Sequence, residues 1–327
     1  MRKKQIFLCG VKAVSFLLLL ALLLTALNPV FQPKDNRKDA GMNFVSANGY
    51  LAEPEDSIDV VFLGDSLTYS SYSPLDMWEQ RGFTGYVSAV GSGRMNTAYQ
   101  TLRKVLKTQH PKVVVLEAHV AARYTPGNES LLTEAEMLFP IFAHHDRWKQ
   151  LSLSDLTEPV NYTRIETEKG FRRNTKVLAT EEEGHMEKTK EKSSLNLITR
   201  IYLNRMVSLC RENGIQLLIA ATPSVKNWDY KHHNTMEQFA AENQANGVSF
   251  LDMSLLTDEI PIDWETDSRD GGDHLNLYGS NKVSAFCGRY FADRGLPDHR
   301  GDPAWAHWEE DWKSCYGRIE SANSEQN

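Results

Sequence analysis

The chain has 327 residues, 41% of them hydrophobic and 24% charged, an ordinary globular balance with length for one large or two small domains. Its 43 acidic and 36 basic side chains give a formal net charge of -7. That balance argues against a nucleic-acid partner, because affinity for phosphate rests mainly on Lys and Arg.

The chain opens with a basic patch, Met1-Arg2-Lys3-Lys4, followed by a nearly continuous apolar run from Ile6 to Leu27 broken by Lys12. About 20 apolar residues span a bilayer, and positive charge ahead of such a run keeps the N-terminus in the cytoplasm. Residues 1–30 are therefore expected to be a single-pass membrane anchor, with everything after Pro29 extracytoplasmic. A cleaved signal peptide is the alternative. The length of the run and the lack of a small-residue cleavage site around Thr25-Ala26-Leu27 favour the anchor. Cys9 lies ahead of the main apolar run and does not read as a lipid attachment site.

Residues 31–56, rich in Pro, Asn, Lys and Asp, read as a linker, and residues 57–298 as the main domain. Ile58–Leu63, closed by Gly64, suits a strand buried on both faces. A second strand is expected over Tyr86–Val90, closed by Gly91-Ser92-Gly93, and a helix over Asn96–Gln109 with Asn96 as its cap. Val113–Leu116 is the clearest strand. Residues 121–195 break the rhythm as an insertion, either a lid over the site or a surface excursion. Within it, Glu181–Lys192 is charged and poor in apolar residues, as in a solvated loop. A helix at Asn196–Asn213, a strand at Ile215–Ala221, a helix at Asn234–Asn246, a strand at Val248–Asp252 and a helix at Leu277–Arg294 complete the series. Gly214, Gly247 and Gly295 stop the three helices. Residues 299–327 are expected as a tail. Strands alternating with helices imply an α/β fold, a parallel sheet covered on both faces, with its site at the carboxyl ends of the strands.

Candidate chemistry sits at those ends. Gly64-Asp65-Ser66-Leu67 follows the first strand, on a turn into a helix where backbone N–H groups can hold an oxyanion. A nucleophilic serine needs a base and a group to orient it. Asp270-Gly271-Gly272-Asp273-His274-Leu275-Asn276, after the last strand, offers both. His144-His145-Asp146 does not read as a metal site, because adjacent histidines seldom share an ion. Cys210, Cys287 and Cys315 are odd in number with no CxxC spacing, so neither a zinc site nor a disulfide framework is expected. Cys210 and Cys287 read as core residues.

The first of these segments resembles the opening motif block of the SGNH (GDSL) hydrolases, and the His274 segment resembles the closing block. The resemblance spans about residues 58–294. It implies a flavodoxin-like α/β/α sandwich and a cofactor-free Ser-His-Asp mechanism, with Ser66 as nucleophile and His274 as base. The N–H groups of Ser66 and of Gly91, or else Gly93, would hold the oxyanion. The family acid stands three residues before the histidine, where this chain has Gly271. Asp270 is preferred, because Gly-Gly can absorb one extra residue; Asp273 is the rival, or a cap for the last helix. The family asparagine after the third strand is also missing, replaced by Leu116-Glu117-Ala118-His119. Glu117, His119, Arg94 or Asn96 is expected to fill that space. Asp65, Lys226 and Trp228 are further candidates for substrate contact, with Asn227 beside them, and Tyr69, Ser70 and Tyr72 for shaping the cleft.

The anchor and the resemblance together lead to an esterase acting on O-acyl, chiefly O-acetyl, groups of cell-surface glycans or related esters. Two alternatives remain open: an O-acyltransferase working with a membrane partner that delivers the acyl group, and a non-catalytic surface-binding domain.

Overall fold

The computed structural model describes residues 2–181 and 184–324, so Met1, Glu182, Glu183 and the last three residues of the expected tail lie outside it. In chain order the elements begin with α1 (Arg2–Phe31), β1 (Val60–Gly64), α2 (Ser66–Ser71), α3 (Pro74–Arg81) and β2 (Gly85–Ala89). They continue with α4 (Met95–Val105), β3 (Val113–Glu117), α5 (Ala118–Ala122), α6 (Gly127–Leu138) and α7 (Leu197–Glu212). The last are β4 (Gln216–Ala221), α8 (Tyr230–Glu242), β5 (Val248–Asp252), α9 (Leu277–Ala292) and α10 (Ala306–Ser324).

Two compact units form, residues 1–45 with 128–164, and residues 46–127 with 165–327. In the first unit, α1 is long and apolar enough to cross a membrane, with a mean hydropathy of 2.6. The segment 128–164 adds most of α6 and 3-10 turns at Pro140–Phe142, His145–Lys149 and Leu153–Leu156. Arg147 ties this unit together. Its guanidinium donates to Val30 O at 3.1 Å and Gln32 O at 2.7 Å, and it pairs with Asp155 at 2.6 Å. Carbonyls at a helix C-terminus lack intrahelical partners, which is what the guanidinium supplies.

The second unit is a flavodoxin-like α/β fold. Its five strands are parallel, in the order β2-β1-β3-β4-β5. The strands are apolar on both faces because both faces are covered. Val61, Leu63, Val114, Leu116, Leu217 and Ile219 pack on one side with residues of α4, α5, α7 and α8. Val60, Phe62, Val113, Val115, Leu218 and Ala220 pack on the other with Met77 of α3 and Val283, Cys287 and Phe291 of α9. Cys210 and Cys287 are free thiols inside these two cores.

The strands fall within two residues of their expected positions, whereas several helix ends do not. Arg94, not Asn96, precedes the first helical residue, and Asn96 is buried in the first turn. Helix α8 starts at Tyr230, four residues early, because Asp229 accepts from His232 N at 2.8 Å. Asn276, not Asp273, caps α9, accepting from Tyr278 N and Gly279 N. Residues 46–56 are not a free linker, since Ala47 and Tyr50 are buried in the second unit. Nor is the C-terminus a tail: Trp308 is fully buried and packs on Trp78 at 5.5 Å between ring centroids.

Lys169 joins residues 46–56 to the C-terminal helix and to the edge of β2. Its backbone carbonyl accepts from Val87 N at 2.9 Å, covering part of the outer edge of β2. Its ammonium, wholly buried, pairs with Glu53 at 2.7 Å and Asp311 at 2.6 Å and lies over the Trp308 ring. Removing one member of a buried ion group leaves the others uncompensated, at a cost of about 3–5 kcal/mol. Lys169→Met is therefore expected to lower the unfolding free energy by that order, with partial recovery when Glu53→Gln is added. An unchanged midpoint in urea unfolding would remove this cluster as a support of the fold.

Candidate active site

β1 and β3 are neighbours, but the chain leaves β1 toward β2 on one side and enters β3 on the other. That divergence opens a crevice at the carboxyl ends of the two strands. Gly64 ends β1 there. A Cβ at this position would lie 2.0 Å from Thr68 Oγ1 and 2.6 Å from Glu117 Cβ, so only glycine lets the two strand ends come this close. Asp65 then caps α2, accepting from Leu67 N at 3.0 Å. Ser66 is the first helical residue, so its amide is among those the helix leaves unbonded.

The loop carrying His274 closes on itself. Ser268 and Leu275 form an antiparallel bridge, and Gly271 and Gly272 turn the tip with φ of +75° and +86°. This turn returns the histidine to Asp270. His274 N donates to Asp270 Oδ1 at 2.8 Å, and His274 Nδ1 donates to Asp270 Oδ2 at 2.7 Å. Asp273 stands farther off, 3.5 Å from Nδ1, and its carboxylate accepts instead from Asn227 Nδ2. Partial burial pushes the Asp270 carboxyl up, but the two His274 bonds and the nearby positive groups outweigh it and hold the group below its ordinary value. With Nδ1 committed as a donor, Nε2 is the nitrogen left to act as a base.

Ser66 and His274 line one cavity of about 360 Å³, with Asp65, Leu67, Ser92, His119, Arg123, Asn227 and Asp273. No direct Ser66–His274 hydrogen bond forms among the described residues, a looseness common where no substrate is bound. His119 Nδ1 lies 3.2 Å from Asp65 Oδ2, and Arg123 approaches the same oxygen at 3.9 Å.

The other sequence candidates are spread around this cavity. Gly91 and Gly93 flank Ser92; the Gly93 N–H is spent on Val90 O at 2.8 Å, while among the described residues the Gly91 N–H makes no backbone bond. Glu117 lies behind the cavity, fully buried, where its carboxyl accepts from Thr222 Oγ1 at 2.9 Å and from the His119 amide at 3.4 Å. Arg94 reaches away to Tyr124 O, and Asn96 is enclosed in α4. Lys226 is exposed and donates to Asp270 O at 3.2 Å. Trp228 is a core residue whose indole donates to Asp252 at 2.9 Å. Of the metal-capable groups, Asp270, Asp273 and His274 bring ligand atoms within 4.8 Å of one another, but His274 Nδ1 already serves Asp270.

Two features escaped the sequence reading. Arg123 lies four residues after His119, the spacing that puts two side chains on one helix face, and that was the available signal. The other is the brace formed by residues 172–180. Arg172 N donates to Tyr69 O at 2.8 Å, Leu178 N to Ser268 O at 2.8 Å, and Leu277 N to Asn174 O at 2.7 Å. This part of the insertion thus holds both the serine and the histidine segments. The charged stretch, over its described residues 184–192, is irregular and mostly exposed, tied to α8 through Asn234 and Lys192.

No protein-family model and no curated protein matches the chain. Solved structures do share features of its backbone. A provisionally assigned acylhydrolase from Bacteroides fragilis is 13% identical, with a TM-score of 0.40 over 78% of this chain and 96% of that one. A GDSL-like lipase from Bacteroides thetaiotaomicron is 12% identical, with a TM-score of 0.39 over 76% and 99%. An acetyl xylan esterase from the rumen bacterium Butyrivibrio proteoclasticus is 9% identical, with a TM-score of 0.32 over 74% and 64%.

Burial first, and the Asp65 charge second, push the Glu117 carboxyl up to about 8. The folded chain therefore keeps a proton that the unfolded chain, at the ordinary value of 4.5, has lost. Glu117 then stabilises most in acid, and that contribution drains away as the pH rises from about 4.5 to about 8. Wild type is expected to lose stability relative to Glu117→Gln across this window, read as diverging melting temperatures. Parallel curves for the two proteins would place the Glu117 proton elsewhere. Gly272→Ala is expected to cost about 1–2 kcal/mol from its left-handed backbone, with more from contact, since the new Cβ would sit 2.7 Å from Thr180 Cγ2. A lower melting temperature is the expected readout.

Proposed function

We propose that this chain is a serine esterase of the SGNH kind that removes short O-acyl groups, acetyl above all, from cell-surface glycans or related esters. The observation that carries the reading is the Asp270–His274 pair, bonded through Nδ1 at 2.7 Å and standing on the cavity that Ser66 also lines. In the proposed reaction Ser66 Oγ attacks the acyl carbon while His274 Nε2 takes its proton. Asp270 fixes the imidazole tautomer and offsets the imidazolium charge. The Ser66 amide, with the Gly91 amide, would face the oxyanion. Water, activated by the same histidine, then releases the acyl group from Ser66.

The lining favours a short acyl group. Of the nine lining residues only Leu67 is apolar, so the cavity offers no greasy channel for a long chain. His119, Arg123 and Asn227 supply donors suited to sugar hydroxyls or an ester carbonyl. A sugar hydroxyl in place of water would make the same acyl-serine a transferase intermediate. We place the enzyme in the membrane through α1, with its catalytic unit extracytoplasmic, on the basic residues that precede the apolar run.

A fluorophosphonate probe is expected to label Ser66, and His274→Ala to abolish most of the labelling; an adduct on another residue of folded protein would overturn the nucleophile. With a small acetyl ester, Asp270→Asn is expected to lower kcat by about 10⁴ with little change in KM. Asp273→Asn is expected to be far milder; the reverse order would make Asp273 the acid.

A further inference from the structure

Helix α1 is exposed from residue 3 to residue 20, but Ala21, Leu24, Leu27, Asn28 and Phe31 are partly covered. Spaced by three and four, these residues form one face. The elements packing on the helix are the turns Pro140–Phe142, His145–Lys149 and Leu153–Leu156. Ile141 N donates to Asn28 Oδ1 at 3.2 Å, and Arg147 holds the last carbonyls.

The level of these contacts follows from helix geometry. At about 1.5 Å per residue, the apolar run Ile6–Leu27 is about 32 Å long, the thickness of the hydrocarbon layer. Leu27 then falls at the boundary, and Ala21 lies about 9 Å deeper. Turns packed on this face stand at the interface, where a surface bathed in water would be polar. Theirs is not. Leu153 is 85% exposed and Leu156 63%, Trp148 is 64% exposed, and α6 adds Leu131 at 75% and Leu138 at 71%. The Trp148 ring has Lys149 Nζ 5.9 Å from its centroid, an apolar body beside a charged tip, as interfacial residues show.

We propose that residues 128–164 form a membrane-seated collar at the C-terminal end of α1, with Leu153, Leu156 and Trp148 inserted among the lipid headgroups and upper acyl chains. The occupant is lipid because the turns that carry these apolar side chains pack directly on the membrane-crossing helix inside one compact unit. Interfacial helices bury their apolar face to a comparable depth, about 5–10 Å. The collar rests on the anchoring of α1, and its test separates the two.

Full-length protein carrying Cys9→Ser, whose remaining cysteines are buried, is labelled with a fluorophore at Leu153→Cys, Leu131→Cys or Leu18→Cys. It is reconstituted in phosphatidylcholine–phosphatidylglycerol vesicles with and without nitroxide-bearing lipid. Quenching by the nitroxide lipid at all three positions is the expected result. Quenching at Leu18 alone overturns the collar and leaves the anchor standing; quenching at none overturns both. Protection of the Leu153 and Leu131 probes from aqueous iodide, without lipid quenching, assigns the face to a second copy of the chain and overturns the lipid assignment.

Discussion

A parallel sheet buried on both faces has nowhere to display polar chemistry except at its ends, and that constraint governs the second unit. The side chains of β1, β3 and β4 are spent on the two cores. The first residues free to do chemistry are those just past the strands: Asp65 and Ser66, His119, and Asn227 beyond β4. The order β2-β1-β3 parts the chain between β1 and β3, so these residues meet over a gap rather than over a continuous surface. Gly64 is the local condition for this arrangement, since any side chain there would collide with Thr68 and Glu117.

Burying carboxylates behind that gap creates a charge problem, and the chain solves it by protonation. Asp65 and Glu117 stand close enough for the charge of one to raise the other, and both are almost wholly buried. His119 and Arg123 both turn to the Asp65 carboxylate, at 3.2 Å and 3.9 Å. Those two side chains are thereby held at the cavity wall. No asparagine follows β3 here; Glu117 and His119 stand in that stretch. Glu117 stands after that strand but faces inward to Thr222, while the donors that reach the cavity come from the next turn, α5, and its C-cap.

How much of this was legible in the sequence depended on whether the signal was local. The strands were, because a run such as Val113–Leu116 has one reading when both faces are apolar. That Ser66 and His274 meet at one end of the sheet was, because each lies in a recognisable motif beyond a strand. The helix starts were less so, because capping depends on which side chain turns back: Asp229 does, and Asn96 does not. The C-terminal helix carried a signal that went unread, Trp305, Trp308 and Trp312 at helical spacing, which form a cluster with Trp78 and Leu75. The brace at residues 172–180 carried none. It works through backbone hydrogen bonds to Tyr69, Ser268 and Leu277, and these leave no mark on residue type.

The choice of aspartate that pairs with His274 shows the limit of spacing as a guide. A histidine served from three positions upstream needs a turn of one length, and this loop has one residue more. Two consecutive glycines in the left-handed region absorb it, tightening the tip until His274 N and Nδ1 both reach the Asp270 carboxylate. Adjacency to the histidine does not help Asp273, because neighbouring side chains diverge from the backbone and Asn227 draws its carboxylate toward the cavity. Asn227 is itself held by Ser224, whose hydroxyl donates to the carbonyl oxygens of Gly272 and Asp273. The segment after β4 therefore fixes the same loop from the opposite side. Which aspartate pairs with His274 is selected by what occupies the other, a relation between two loops that no count along one of them contains.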